Sequence, residues 1–186
     1  MDKRHDEQQL SDEERVLAAV RLLEQANIDK RNGLPESLFL CISSLIPIAN
    51  VDLFILNKSG QLLLSYRDDA YFGCGWHIPG GCLRFGETMS QRIHKTAISE
   101  LGVDVKHDTT PLAVRDVIKE PFAMASNPDV RGHNLAVMFL CRLSSEAEKT
   151  VTDGKSGRLA WFEKIPPDIL QVHSVYNDIF ERFHLR

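Results

Sequence analysis

The 186-residue chain has four cysteines and no C-x-x-C pair among them: Cys41, Cys74, Cys82 and Cys141 stand well apart. Tetrahedral zinc sites draw on closely spaced ligand pairs, so zinc is not expected. Cys41 and Cys141 lie in apolar runs, where a free thiol behaves as a small core residue, and a reduced, cytoplasmic setting is the simplest expectation. The chain also has no basic excess. Its 22 Lys and Arg against 26 Asp and Glu leave a net charge of −4. That balance speaks against a general nucleic-acid-binding face, while leaving room for a local basic pocket around one phosphate group. No apolar run approaches the roughly 20 residues that span a bilayer, and Met1 to Glu7 run straight into charge. Neither a signal peptide nor a membrane partner is therefore expected. Internal repeats and low-complexity tracts are missing too.

What is there suits one domain with a sizeable core and an appended element: 43% hydrophobic and 26% charged residues are ordinary for a globular chain. Ser11 and Glu14 form a capping box ahead of Val16, Ala19, Val20 and Leu23, which predicts an amphipathic helix ending before Asn32-Gly33. Residues 1–33 read as an N-terminal helical extension, packed on the domain or on a second subunit in a homodimer. Residues 34–186 read as the domain itself. In it, a short helix fits Glu36 to Ile46, stopping before Pro47. Strands fit Val51 to Leu56 and Gln61 to Tyr66, around the turn cluster Asn57 to Gly60. Trp76 to Gly81 read as a loop and Thr88 to Leu101 as a helix. Further strands fit Leu112 to Ile118, Leu135 to Cys141 and Leu159 to Phe162, and Val172 to Phe183 read as a last helix after Pro166-Pro167. The class is α/β or α+β, a mixed sheet flanked by helices.

The strongest pattern lies between Gly81 and Val103. Gly80-Gly81 follows Pro79, Glu87 stands six positions after Gly81, and the helix follows. Met89, Ile93, Ala97 and Leu101 recur every four residues as a buried stripe. Arg92, Thr96, Ser99 and Glu100 fall on another face, and Glu100 is the one carboxylate of those four. Gly102 fits the helix stop, and Glu87 near the helix start suits the helix dipole.

This loop–helix–loop resembles the Nudix box: Gly, five residues, Glu, seven residues, then R-E-U-x-E-E-x-G-U, with U apolar. The counterpart here is Gly81, Glu87, then Lys95-Thr96-Ala97-Ile98-Ser99-Glu100-Leu101-Gly102-Val103. The spacing is intact, but Lys95 replaces Arg, and Thr96 and Ser99 replace two Glu. The resemblance implies a Nudix fold and hydrolysis of a nucleoside diphosphate linked to another group. It implies Mg²⁺, with Mn²⁺ as an alternative, because hard cations take oxygen ligands. With two carboxylates gone, Glu100 and the Gly80 carbonyl are left to hold one ion. Glu87 would support the loop, and Lys95 would orient its neighbours.

The thinned box is similar to that of the GDP-mannose mannosyl hydrolase subgroup. Pro47 to Asp52, Arg67, Trp76 with Pro79-Gly80-Gly81, Trp161, and Val172-His173 with Tyr176 and Phe180 extend the likeness over residues 34–186. It implies that Asp52 and Arg67 sit at the substrate, Arg67 aiding departure of the nucleoside diphosphate while water attacks the sugar carbon. The chain departs from the subgroup where its general-base His would stand: Ser156 is there, and Lys155 replaces the neighbouring metal-ligand Gln. His133 is the nearest substitute base by position, ahead of His77 and His173, and Lys155 is placed to meet a phosphate. Gly154-Lys155-Ser156 lacks the glycine that opens a phosphate-binding loop, so no Walker motif is read there. Two alternatives stay open: ordinary Nudix attack at phosphorus, and a Nudix-fold module that binds a nucleotide sugar without turnover.

Overall fold

A computed structural model describes residues 11–69, 73–118, 132–153 and 158–186. Two helices open the chain, α1 (Asp12–Gln25) and α2 (Glu36–Leu45). Ser11 and Glu14 close the capping box on α1 as expected, and α2 ends two residues before Pro47. Then come β1 (Ile48–Ile55), β2 (Leu62–Asp69), β3 (Gly73–His77) and β4 (Gly80–Cys82), followed by α3 (Met89–Leu101). After α3 follow β5 (Lys106–His107), β6 (Ala113–Ile118), β7 (His133–Arg142), α4 (Ser145–Asp153) and β8 (Leu159–Phe162). The chain closes with a 3₁₀ turn (Gln171–Tyr176) and α5 (Asn177–Arg182).

The strands form two sheets. One runs β4-β1-β7-β5 with β6 also paired to β7; the other runs β3-β2-β8. β1 and β7 are parallel, with Asp52 opposite Met138, and every other pairing is antiparallel. Because both faces of β1 are covered, its second half reads as an unbroken buried run rather than an alternating one. Val51, Leu53 and Ile55 pack with Ile93, Ala97 and Leu101 of α3. Phe54 packs on the other side with Met138, Tyr176 and Phe180. Asp52 shares that second face, so the fold buries a carboxylate in a strand otherwise made of core residues.

Several expectations need correction. Trp76 to Gly81, expected as a loop, contributes to two strands: Trp76 and His77 end β3, where Trp76 stacks edge-on against Tyr66 and Phe162. Gly80 and Gly81 start β4. Glycine carries no β-pattern, so nothing in the composition signalled that strand. The expected single helix from Val172 splits into a 3₁₀ turn and a short α-helix. Its tighter winding puts residues three apart on one side, and His173 and Tyr176 are both buried there. β5 and α4 were not expected. Cys141 is buried, its thiol pushed up to about 12 by burial, whereas Cys41 is exposed on α2. Within α3, Met89 is 39% exposed and drops out of the buried stripe, while Arg92 and Thr96 join the interior.

Glu87 ties the β4–α3 loop to the helix. It accepts from Arg92 Nε at 2.8 Å and Nη2 at 2.6 Å, from Lys95 Nζ at 2.8 Å, and from the Arg84 N–H at 3.0 Å. Burial pushes its carboxyl up, but those donors and the Arg92 charge outweigh it and hold the pKa at about 2. A carboxylate depressed on folding contributes stability above its unfolded value, and that contribution is lost as pH falls from about 4.5 toward 2. Glu87→Gln is therefore expected to cost about 1.5–3 kcal/mol at neutral pH, the range for hydrogen bonds to a charged group. In urea unfolding the gap between variant and wild type should close on acidification through that window. A gap that stays constant with pH would show that Glu87 contributes no charge-dependent stability.

Candidate active site

β1, β2, β3 and β4 bring the site together. In β2, Ser65 and Arg67 are two residues apart and point to the same face. Across β3, Ser65 is the register partner of His77. Between β1 and β4, Asp52 is the partner of Gly80. Glu100, on the last turn of α3, reaches into this corner. Its Oε1 accepts from the Gly80 N–H at 3.4 Å and faces Arg67 Nη2 at 3.7 Å. Its Oε2 accepts from Ser65 Oγ at 3.1 Å and lies 3.5 Å from His77 Nε2. Burial raises the Glu100 pKa against the charge of Arg67 and these donors, with nearby Asp52 adding to the rise.

Asp52 forms the second half. It is 6% exposed; Tyr176 Oη donates to Oδ2 and Asn50 Nδ2 to Oδ1, each at 2.5 Å. Burial pushes its pKa up to about 6, with Tyr176, Asn50 and Arg67 pulling the other way. Asp52, Arg67, Gly80 and Tyr176 line one recess of about 100 Å³, to which Asn134 and His77 also contribute. His77 Nδ1 lies 2.8 Å from the Ile78 carbonyl and Nε2 2.6 Å from Ser65 Oγ. His173 accepts from the Ile78 N–H at 3.2 Å. Burial, followed by His77 and Arg67, lowers its pKa to about 3, so it stands neutral.

The structure thus brings Asp52, Arg67, Gly80, Gly81 and Glu100 into one corner. Glu87 and Lys95 are joined to each other on the loop side of α3, and Gly102 ends that helix with φ 72°. His133 is elsewhere: along β7 it alternates with Asn134 and Ala136, which line the recess, and its Nε2 pairs with Asp116 at 3.1 Å. Lys155 and Ser156 lie outside the described residues. Reading by type and spacing did not single out Ser65 or Asn50, named Tyr176 only within the resemblance, and placed His77 behind His133. Ser65 and His77 are found only through strand pairing, and Tyr176 lies 124 positions from the carboxylate it holds.

The donor set decides what ion the corner fits. Among the described residues no group of three or more His, Cys, Asp or Glu is placed to hold a metal. Mg²⁺ commonly binds through one or two carboxylates, completing its octahedron with water and substrate phosphates. One carboxylate next to a backbone strand fits an ion that arrives with a diphosphate, and does not fit one caged by protein alone.

Comparison with known proteins places the chain in a class. The fold resembles solved Nudix structures: a NUDIX hydrolase from Nitrosomonas europaea (18% identity, TM-score 0.53, 75% of this chain and 72% of that one). A MutT protein from Methanosarcina mazei is comparable (19% identity, TM-score 0.51, 74% and 94%). Low-salt glycan biosynthesis protein Agl8 of Haloferax volcanii is 33% identical over 72 residues, 39% of this chain and 46% of that protein, so the chain spans under half of that relative's length. The NUDIX domain profile matches residues 47–179. The chain belongs to the NUDIX domain family, within the Nudix hydrolase superfamily. α1 and α2 lie ahead of the matched region. No helix among the described residues is long and apolar enough to cross a membrane.

The buried Asp52 yields a test with a defined sign. A carboxyl raised on folding, from 3.8 to about 6, contributes stability below its unfolded value, and that contribution is lost as pH rises through the folded one. Asp52→Asn should therefore gain on wild type by about 2–3 kcal/mol between pH 4 and pH 7, at 1.36 kcal/mol per unit. Urea unfolding of both proteins across that range checks it. A parallel pH course for the two would mean that Asp52 is not a strained carboxylate.

Proposed function

We propose that this protein hydrolyses a nucleotide sugar, GDP-mannose or a close relative, to nucleoside diphosphate and free sugar. The observation that carries the reading is the pairing of one carboxylate, Glu100, with one guanidinium, Arg67, beside the buried Asp52. The 33% identity to a glycan biosynthesis protein supports a sugar-linked substrate. We take residues 34–186 as the catalytic domain and residues 1–33 as an extension.

In this reading Glu100 and the Gly80 carbonyl hold Mg²⁺, or Mn²⁺ in its place. Such an ion, arriving with the substrate, would supply charge to neutralise the diphosphate. Arg67 faces the same phosphates, and its fixed charge meets the negative charge that grows on the leaving oxygen. Asp52 is held by Tyr176 and Asn50 with its oxygens at fixed positions, and it accepts from sugar hydroxyls. Ser65 keeps Glu100 turned toward Gly80. Attack at the anomeric carbon lets the diphosphate leave as a unit, which a guanidinium on the phosphate side assists. Attack at phosphorus asks for more metal charge around the reacting group, and carboxylates for it are scarce in this corner.

Hydrolysis in ¹⁸O-labelled water should place the label in the free sugar, with unlabelled nucleoside diphosphate released. Label in a phosphate product, with nucleoside monophosphate formed, establishes the phosphorus reaction instead. Binding of nucleotide sugars without turnover establishes a binding module. Arg67→Gln should lower kcat more than it raises KM, since the charge it meets develops in the transition state. Glu100→Gln should abolish turnover in a folded protein.

The donor set adds a prediction about the ion. Mg²⁺ titrated into the protein alone should bind weakly, and about one ion per site should bind tightly once a nucleoside diphosphate is present. Calorimetry that finds two or three tight ions without nucleotide would contradict a single-carboxylate site.

A further inference from the structure

Two recesses meet at β4. The first is the small polar one with Asp52 and Arg67. The second is an apolar groove of about 1000 Å³ between α1, α2, the β4–α3 loop and α3. Among the described residues, Gly80, Gly81 and Cys82 alone line both. We propose that this groove is the nucleoside site: the diphosphate crosses β4 at Gly80–Cys82, with the sugar on the Asp52 side and the nucleoside on the α1–α2 side. The proposal rests on the nucleotide-sugar reading above and adds which face takes which half.

Size argues first. The Asp52 recess has about 100 Å³, whereas the groove, at about 1000 Å³, lies at the upper end of small-molecule sites and has room for the larger half of the ligand. Surface chemistry argues second. The loop presents Phe85, 70% exposed, at the groove, and Lys30 Nζ lies 5.6 Å from the ring centroid. An exposed aromatic in an apolar groove is a platform for a base, since every base has a π-face to stack. Charge argues third. Thr96 and Ser99 line the groove, and these are the two Nudix-box positions where carboxylates are missing. Two glutamates there would repel an anionic ligand passing over α3. Neutral side chains, with Lys30 and Arg84 nearby, leave that wall favourable to a diphosphate. Arg84 is fixed by its Nη1 donating to the Asn32 carbonyl at 2.9 Å, which also joins the α1–α2 segment to the β4–α3 loop. The two lost carboxylates and the added N-terminal segment are then parts of one arrangement.

Calorimetric titration with GDP, ADP and UDP, each with Mg²⁺, tests this without turnover. Phe85→Ala removes an exposed ring and should leave the fold intact while weakening the best-bound nucleotide about tenfold, within the range for loss of a base–aromatic stack. Leu38→Trp, which fills the groove from α2, should weaken it at least as much, and both changes should raise KM for a nucleotide sugar by a similar factor. Nucleoside diphosphate affinity and KM unchanged in both variants would overturn the groove assignment and leave the hydrolase reading standing. Phe85-dependent binding with no hydrolysis of any nucleotide sugar would support the groove and remove the hydrolase reading. Failure of all three nucleotides to bind at millimolar concentration would overturn the groove assignment.

Discussion

Everything in the site depends on how closely β4 can approach its two neighbours. Val51 pairs with Gly81 and Asp52 with Gly80, while α3 presses on the same strand from the other side. A Cβ on Gly80 would stand 2.5 Å from Asp52 Oδ1, and one on Gly81 would stand 2.6 Å from Thr96 Oγ1. Both separations are far inside van der Waals contact. The missing side chains let the Gly80 N–H reach Glu100 from the helix while Asp52 occupies the strand alongside. Neither glycine has a positive φ, so the requirement is for space and not for an unusual backbone.

That constraint explains what could and could not be read from residue order. The Gly-Gly pair, the spacing to Glu87 and the run to Gly102 are local, and a local pattern carries loop–helix geometry directly. The capping residues of α1 were legible for the same reason, since the box closes within three residues, whereas the Thr88–Gln91 box that caps α3 went unread. Asp52 and Arg67 were legible through resemblance, because fifteen residues of hairpin hold them in a set relation. The partners that tune them were not. Ser65 and His77 face each other only once β2 and β3 pair, and the run from Trp76 to Gly81 has none of the alternation that announces a strand. Tyr176 belongs to a segment that winds as 3₁₀ instead of α, which no apolar spacing distinguished.

Hydrogen bonding also separates two carboxylate environments on either side of α3. Glu87 receives donors from two cations and a backbone N–H, so its charge is overcompensated and its carboxyl is strongly acidic. Glu100 and Asp52 sit deeper and share one guanidinium, and burial raises both carboxyls above their ordinary values. The first environment is built to hold a loop. The second holds negative charge that is incompletely balanced by the protein, which is the condition for attracting a cation that a ligand brings with it.

This imbalance links the chemistry to the thinned box. A corner with three or more carboxylates needs metal to be tolerable at all, because like charges in a low-dielectric pocket repel by several kcal/mol. With Thr96 and Ser99 neutral, the remaining repulsion is the one between Asp52 and Glu100, and Arg67 lies close enough to lower the pKa of each. Arg67 thus balances part of this charge from within the protein, and in the reading proposed above the same guanidinium would meet the phosphates of a substrate. Moving positive charge from a metal to a side chain changes what the site favours. A guanidinium is fixed on the phosphate side and cannot activate a water at phosphorus as a metal does. In the reaction proposed above it would stabilise only the departing diphosphate, which is why that proposal puts bond breaking at the sugar carbon.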